Sequence, residues 1–244
     1  MTVGHVPLVE STRGALVESV HYGSFAVVST DRTTVMAAGA PDAAMYARSA
    51  VKPLQLVAMV RSGLDLPDDL LALGAASHSG SAVHLAGVER ILSLHGLDVG
   101  ALRNIPDLPY GSTERRDWLA DGRGPTRLAQ NCSGKHAAMI ATCVVNGWSV
   151  ADYLDPAHPL QRSIVRTIAE LTGEAVTATT LDGCGTPLPA GTLTGLALSF
   201  ARLASAPSGT AEGRVAVAMR QHPELVAGEG RDVTALMRAV PGLV

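Results

Sequence analysis

Arg48-Ser49-Ala50-Val51-Lys52-Pro53 sets a serine and a lysine three positions apart, with a proline directly behind the lysine. If Ser49 sits at a helix N-terminus, residues at that spacing project from one face, and the two side chains can exchange a proton. A serine hydroxyl is a poor nucleophile until a base removes its proton, and lysine serves as that base once burial or a neighbouring cation lowers its pKa. The helix N-terminus also favours developing negative charge. The same spacing is met by a serine N-cap followed by a solvated lysine, so the motif leaves both readings open. Pro53 suits either, because a first-turn N–H has no intrahelical partner.

With 244 residues, 47% of them hydrophobic, the chain can form one well-buried domain or two small packed lobes. A net charge of −3, a pI near 6.2 and the lack of a dense Lys/Arg cluster argue against nucleic acid as a partner. The opening Met-Thr-Val-Gly-His-Val-Pro has no charged segment followed by an apolar core. No later apolar run reaches the roughly 18 residues that span a bilayer, so no membrane partner is expected and the expected location is cytoplasmic. Cys132, Cys143 and Cys184 form an odd, sparse set that suits a reducing compartment better than a disulfide framework. Metal ligation and plain packing remain the choices for them.

Before the Ser-x-x-Lys stretch, Leu16 to His21, Phe25 to Ser29 and Thr33 to Ala38 are short apolar and β-branched runs. Gly23 and Thr30-Asp31-Arg32 punctuate them, which predicts a three-stranded antiparallel meander. Behind it, Leu54, Val57, Ala58 and Arg61 fall on successive helical turns before Gly63. Pro67 to Leu73 reads as a short helix running into Gly74-Ala75-Ala76-Ser77-His78-Ser79-Gly80. That segment is either an N-cap region for a helix over Ala82 to His95 or a tight approach to a site, and the two roles are compatible. Residues 104–127 read as irregular loop with a short helix near Glu114 to Ala120. Gln130-Asn131-Cys132-Ser133-Gly134-Lys135-His136 opens an apolar helix to Asn146. A phosphate loop would need glycine at Ala129 and Ser or Thr at His136, so that function is rejected. Pro159 to Thr172 is a helix ended by Gly173, and Ala175 to Leu181 reads as a strand that feeds Asp182-Gly183-Cys184-Gly185-Thr186-Pro187. Helices are expected at Thr192 to Ala204, Ala211 to Arg220 and Val233 to Ala239.

Taken together, Arg48 to Pro53, Ala76-Ser77-His78-Ser79-Gly80, Asn131-Cys132-Ser133-Gly134-Lys135-His136 and Asp182-Gly183-Cys184-Gly185 resemble the asparaginase II family. This is the class of L-asparaginases whose fold is similar to serine β-lactamases and penicillin-binding proteins. The resemblance runs from about Val9 to the end of the chain. It implies an α/β (α+β) fold with an antiparallel sheet flanked by helices, a single catalytic domain over 1–244, and hydrolysis of L-asparagine to aspartate and ammonia. By matching positions, it implies Ser49 as nucleophile, Lys52 as its base and Ser77 as a second catalytic serine, with Ser79 the alternative in register. It further implies Zn2+ held by Cys132, Lys135 and Cys184, and a substrate pocket containing Arg48, Asn131, His136 and Asp182. A homodimer is the expected assembly.

The residue chemistry agrees with that reading on its own terms. Cleaving a carboxamide requires an activated nucleophile, oxyanion donors and a proton for departing ammonia. Two lysines near one another depress each other's pKa, which favours Lys52 as a neutral base. The substrate's α-ammonium and α-carboxylate call for opposite charges, and Asp182 and Arg48 supply them. The family pattern continues into a Lys-Gly-Gly segment whose lysine pairs with the second serine, and the sequence stops at Val244 before reaching it. A chain without that lysine and without closing strands of its sheet is therefore expected, with Leu243-Val244 as the opening of an uncompleted strand. Two other functions stay in view: a different hydrolase of the β-lactamase-like fold, and a catalytically silent amino-acid or zinc-binding protein.

Overall fold

Gly14, at φ 60, turns β1 (Val6–Arg13) back onto β2 (Leu16–Gly23), as a tight hairpin requires of the residue at its corner. A second hairpin joins β3 (Phe25–Val28) to β4 (Thr34–Ala38), and a third joins the short β5 (Thr179–Leu181) and β6 (Pro187–Pro189). In the computed structural model, which describes residues 4–31 and 33–244, each pair is a separate two-stranded antiparallel sheet. The fold is a mixed α/β one, with these small sheets set beside ten α-helices among the described residues.

The core is built around α1 (Lys52–Arg61), in which every residue from Lys52 to Met59 is buried. A helix enclosed on all sides must be largely apolar, and Leu54, Leu56, Val57, Ala58 and Met59 meet that condition, with Lys52 and Gln55 as its buried polar residues. Each fully buried Leu, Val or Met contributes roughly 1.5–3 kcal/mol. Four such residues offset the several kcal/mol that desolvating one lysine costs. Around α1 pack α2 (Asp68–Gly74), α5 (Ser133–Asn146), α6 (Pro159–Thr172) and α8 (Ala211–Gln221). Arg61 closes the end of α1 by pairing with Glu170 of α6 and Glu212 of α8. α3 (Ala82–Leu94) lies against α5, and α7 (Leu193–Ser205) carries β3 on its surface. The remaining helices are α4 (Ser112–Ala120), α9 (Pro223–Val226) and α10 (Asp232–Ala239).

Several expectations from the sequence are met closely. α6 begins and ends where its sequence implies, because Pro159 presets the first turn and Gly173, at φ 74, supplies the left-handed exit. Other readings need correction. The predicted meander is two hairpins: β2 pairs with β1, which periodicity had not marked, while β3 pairs with β4. Arg32, part of the expected turn, lies outside the described residues, as do Met1–Val3. The strand expected over Ala175 to Leu181 is confined to Thr179–Leu181, which is as far as its three-residue partner, Pro187–Pro189, extends. Leu243-Val244 forms no strand.

Gly134 marks the closest approach in this arrangement. A Cβ there would stand 2.5 Å from the Leu73 carbonyl oxygen and 2.8 Å from Leu73 Cγ. Gly134→Ala, which would raise helix propensity on an open helix surface, should here force α5 away from α2 and cost about 1–3 kcal/mol. Urea unfolding at unchanged slope is the measurement, and a gain in stability would show that the two helices separate freely.

Candidate active site

Arg48–Val51 form one 3-10 turn that runs straight into α1, so that the Lys52 backbone N–H donates to the Ser49 carbonyl. The Lys52 side chain points inward and is only 1% exposed. Its Nζ donates to the Ala76 carbonyl at 2.7 Å and to Ser77 Oγ at 2.7 Å, both on the chain leaving α2. Burial is the main cause holding the Lys52 pKa below its ordinary value, and Lys135 lowers it further, while Cys132 and Cys184 act in the opposite sense. Lys52 is therefore a buried amine biased toward its neutral form. Among the described residues it makes no side-chain hydrogen bond to Ser49; the hydroxyl it meets is that of Ser77. Ser49 instead stands with Ser77 on the wall of one cavity of about 350 Å3.

The segment bearing Ser77 is pinned on two sides. Ser77 N donates to the Val226 carbonyl, His78 N to the Asn131 carbonyl and Ser79 N to the Ala227 carbonyl, at 3.1, 3.2 and 2.7 Å. The two serines that spacing alone left open therefore differ in place. Ser79 is 1% exposed, and its hydroxyl donates back to Ala227 O at 3.0 Å. Ser77 turns toward Lys52, with Asn131 Nδ2 at 3.5 Å from its oxygen. The N-cap of α3 is Ser81, whose N–H and hydroxyl both meet His84 Nδ1.

A second buried cluster lies at the start of α5. Lys135 Nζ donates to Cys184 Sγ at 3.1 Å and to Thr186 Oγ1 at 2.9 Å. Cys132 and Cys184 act as one coupled pair. Interaction with Cys184 and burial push the Cys132 thiol up to about 12, while Cys132, then His136 and Lys135, favour Cys184 as the thiolate. His136 is fully enclosed and pushed down to about 4, chiefly by burial and then by the Lys135 charge. Its Nδ1 meets Tyr153 OH at 2.7 Å and its Nε2 meets Thr186 Oγ1 at 3.2 Å. Tyr153 OH in turn accepts from Arg103 N at 3.1 Å. Cys143 lies away from this group on α5, buried, with its thiol raised to about 12 mainly by burial.

Arg48 and Asp182, expected at opposite ends of a substrate, pair with each other at 2.6 Å. Arg48 is also the one non-glycine residue at positive φ among the described residues, at φ 53. The structure thus brings together Lys52, Ser77 and Asn131, sets Ser49 on the same cavity wall as Ser77, and groups Cys132, Lys135, Cys184 and His136 close by.

The model of the L-asparaginase II family matches residues 9–244. The chain belongs to the L-asparaginase II family. A comparison with curated proteins finds no match. Membership in this family implies amidohydrolase chemistry on a small-molecule substrate. Among the described residues no helix is long and apolar enough to cross a membrane.

For this L-asparaginase II family member, sequence reading missed several supporting residues. Thr186 was legible as the end of the Asp182-Gly183-Cys184-Gly185 stretch, whereas Tyr153 and Gln130 carry no local signal. Gln130 Oε1 accepts from Cys132 N and from Asn104 Nδ2, each at 3.0 Å, which fixes the turn that presents Cys132. His78 stands out in the sequence only as part of the Ser77-His78-Ser79 motif. It is fully buried, hydrogen-bonded through Nε2 to Ser133 Oγ at 2.9 Å, and stacked on His84 with ring centroids 5.1 Å apart.

Burial lowers the pKa of both His78 and His84 below the ordinary 6.5, His78 furthest. Below about pH 6.5 the unfolded chain therefore takes up protons that the folded chain refuses. Stability rises with pH across this window and is lost as pH falls through it. The urea midpoint should drop between about pH 7.5 and about pH 5.5, and the drop should shrink in His78→Gln. Equal drops in the two proteins would show that His78 takes up its proton without unfolding.

Proposed function

We propose that the chain is an L-asparaginase that hydrolyses the side-chain amide of L-asparagine to L-aspartate and ammonia through an acyl-serine intermediate. The observation that carries this reading is the buried Lys52 Nζ, 2.7 Å from Ser77 Oγ, beside a cavity that Ser49 and Ser77 both line. Neutral Lys52 accepts a proton from a serine hydroxyl, and the serine oxygen attacks the amide carbon. When the C–N bond breaks, that proton passes to the departing nitrogen, which leaves as ammonia. Water then cleaves the ester, releasing aspartate and restoring the serine.

In the reading taken from the sequence, Ser49 is the nucleophile, Lys52 its base and Ser77 a second catalytic serine. The short Lys52 to Ser77 contact favours a second assignment in which Ser77 itself attacks. Asp182 offers a carboxylate to the α-ammonium. Arg48, Asn131 and His136 complete the proposed substrate pocket, with Arg48 orienting Asp182 through their ion pair.

Zinc is part of the proposal. Among the described residues no three His, Cys, Asp or Glu side chains group as metal donors, so a set here depends on Lys135 beside Cys132 and Cys184. Two sulfurs and an amine nitrogen fit zinc's ligand preference, and the bias of Cys184 toward thiolate favours binding. Zinc bound there would act as a Lewis acid near the substrate. Its affinity should fall as pH is lowered, because the lysine must bind as the neutral amine. A cytoplasmic homodimer is the proposed setting.

Ammonia release from L-asparagine, with zinc supplied, tests the reading. Lys52→Met should lower the rate by about 10² to 10⁴. Activity should rise with pH through the lowered pKa of Lys52, since the base is the neutral amine. Peptide mapping of the acyl-enzyme trapped by acid quench assigns the nucleophile: the ester falls on Ser49 in the first assignment and on Ser77 in the second. Opening of a β-lactam without ammonia release would replace this reading with the related hydrolase, and binding without turnover would replace it with the silent binder.

A further inference from the structure

The cavity that holds Ser49 and Ser77 is walled mostly by apolar side chains, among them Phe200, Met219, Val226 and Met237. Its lining includes one cation, Arg231, and includes neither Arg48 nor Asp182. The Nη1 of Arg231 is buried and has no hydrogen-bond partner among the described residues. The acidic residues nearest to it in sequence are engaged elsewhere: Asp232 accepts from Val233 N at 2.9 Å, and Glu229 and Glu224 both pair with Arg238. Tyr110 holds the guanidinium in place, its ring centroid 4.8 Å from Arg231 Cζ. A guanidinium N–H withdrawn from water without an acceptor is costly, and an anionic ligand in the cavity would remove that cost. Arg48, the arginine first expected to meet a carboxylate, already has one in Asp182 at 2.6 Å.

We propose that Arg231 is the carboxylate-binding residue of this site and receives the α-carboxylate of the amino-acid substrate. The assignment rests on the asparaginase reading for the identity of the ligand, and on the cavity and the unpartnered Nη1 for the residue. It makes Arg231 a specificity determinant: amides that lack an α-carboxylate leave the guanidinium unpaired and are bound weakly. Arg48 then serves to position Asp182.

Calorimetric binding of L-aspartate and of β-alanine, which is L-aspartate without its α-carboxylate, isolates the interaction. Wild-type protein should prefer L-aspartate. Arg231→Met should lose roughly 10- to 100-fold in L-aspartate affinity, the range expected for a lost charge-assisted hydrogen bond, with no change for β-alanine. Arg231→Lys should recover part of the loss, which a role confined to packing against Tyr110 would not predict. If Arg231→Met fails to fold, Arg231→Lys carries the test, because a lysine cannot pair bidentately and its preference for L-aspartate should be reduced but present. The proposal is overturned if wild type shows no preference, or if the preference survives in Arg231→Met and disappears in Arg48→Met. A preference lost in Arg231→Met, together with no ammonia from L-asparagine, would refute the asparaginase reading and leave the carboxylate site standing.

Discussion

Burying the amine of Lys52 is the constraint that the rest of the structure meets. An amine at the start of a fully enclosed helix needs acceptors, and the chain leaving α2 supplies them, through Ala76 O and Ser77 Oγ. That chain must in turn be held, so Ser77, His78 and Ser79 spend their backbone N–H groups on the carbonyls of Val226, Asn131 and Ala227. The end of α9, the Asn131 turn and the first turn of α1 thereby become one rigid unit. Local contacts do not produce it, because the partners lie far apart in sequence. Packing energy from α1 does, since Leu54, Leu56, Val57 and Met59 hold the helix, and hence Lys52, where water cannot reach.

The second cluster shares a charge balance with the first. Lys135 lowers the Lys52 pKa, and Cys132 and Cys184 raise it, so the ionisation of the sulfur pair bears directly on Lys52. A Cys184 thiolate beside Lys135 offsets much of the charge that would otherwise repel a proton from Lys52. Any cation bound at the sulfurs would cancel that offset and push Lys52 further toward the neutral amine. In this arrangement the metal set proposed above and Lys52 are electrostatically linked without sharing a ligand.

How much of this was legible in the sequence follows from where each partner comes from. α6 and α5 were readable because their signals are local: Pro159 and Gly173 bound the first, and the Asn131 to His136 motif opens the second. The proximity of Ser77 to both Ser49 and Lys52 was readable from spacing and motif. The partner of Lys52 was not, because three-residue spacing favours Ser49, whereas the observed hydrogen bond depends on how α2 ends. β1 escaped notice because its alternation faces water on both sides, so no apolar face marks it. Arg231 was invisible for a different reason. It stands in an ordinary Gly-Arg-Asp helix start, and only the folded cavity shows that its Nη1 lacks a partner.

The backbone at Arg48 ties these observations to the pocket. A non-glycine residue in the left-handed region costs roughly 1–2 kcal/mol, and glycine at that position would avoid the cost. The strain persists because both flanks are fixed. Behind it, Met45 and Gly191 exchange backbone hydrogen bonds at 2.8 and 3.0 Å; ahead of it, α1 is locked in the core. What arginine provides there and glycine cannot is the guanidinium that meets Asp182 at 2.6 Å, an ion pair exposed on the Arg48 side and nearly covered on the Asp182 side. Exposed ion pairs contribute about 0–1 kcal/mol, too little to justify the strain as a device for stability. The side chain at position 48 is therefore tied to how it holds Asp182 next to the Cys184 turn, and a strained residue there persists only because the structure on both sides over-determines it.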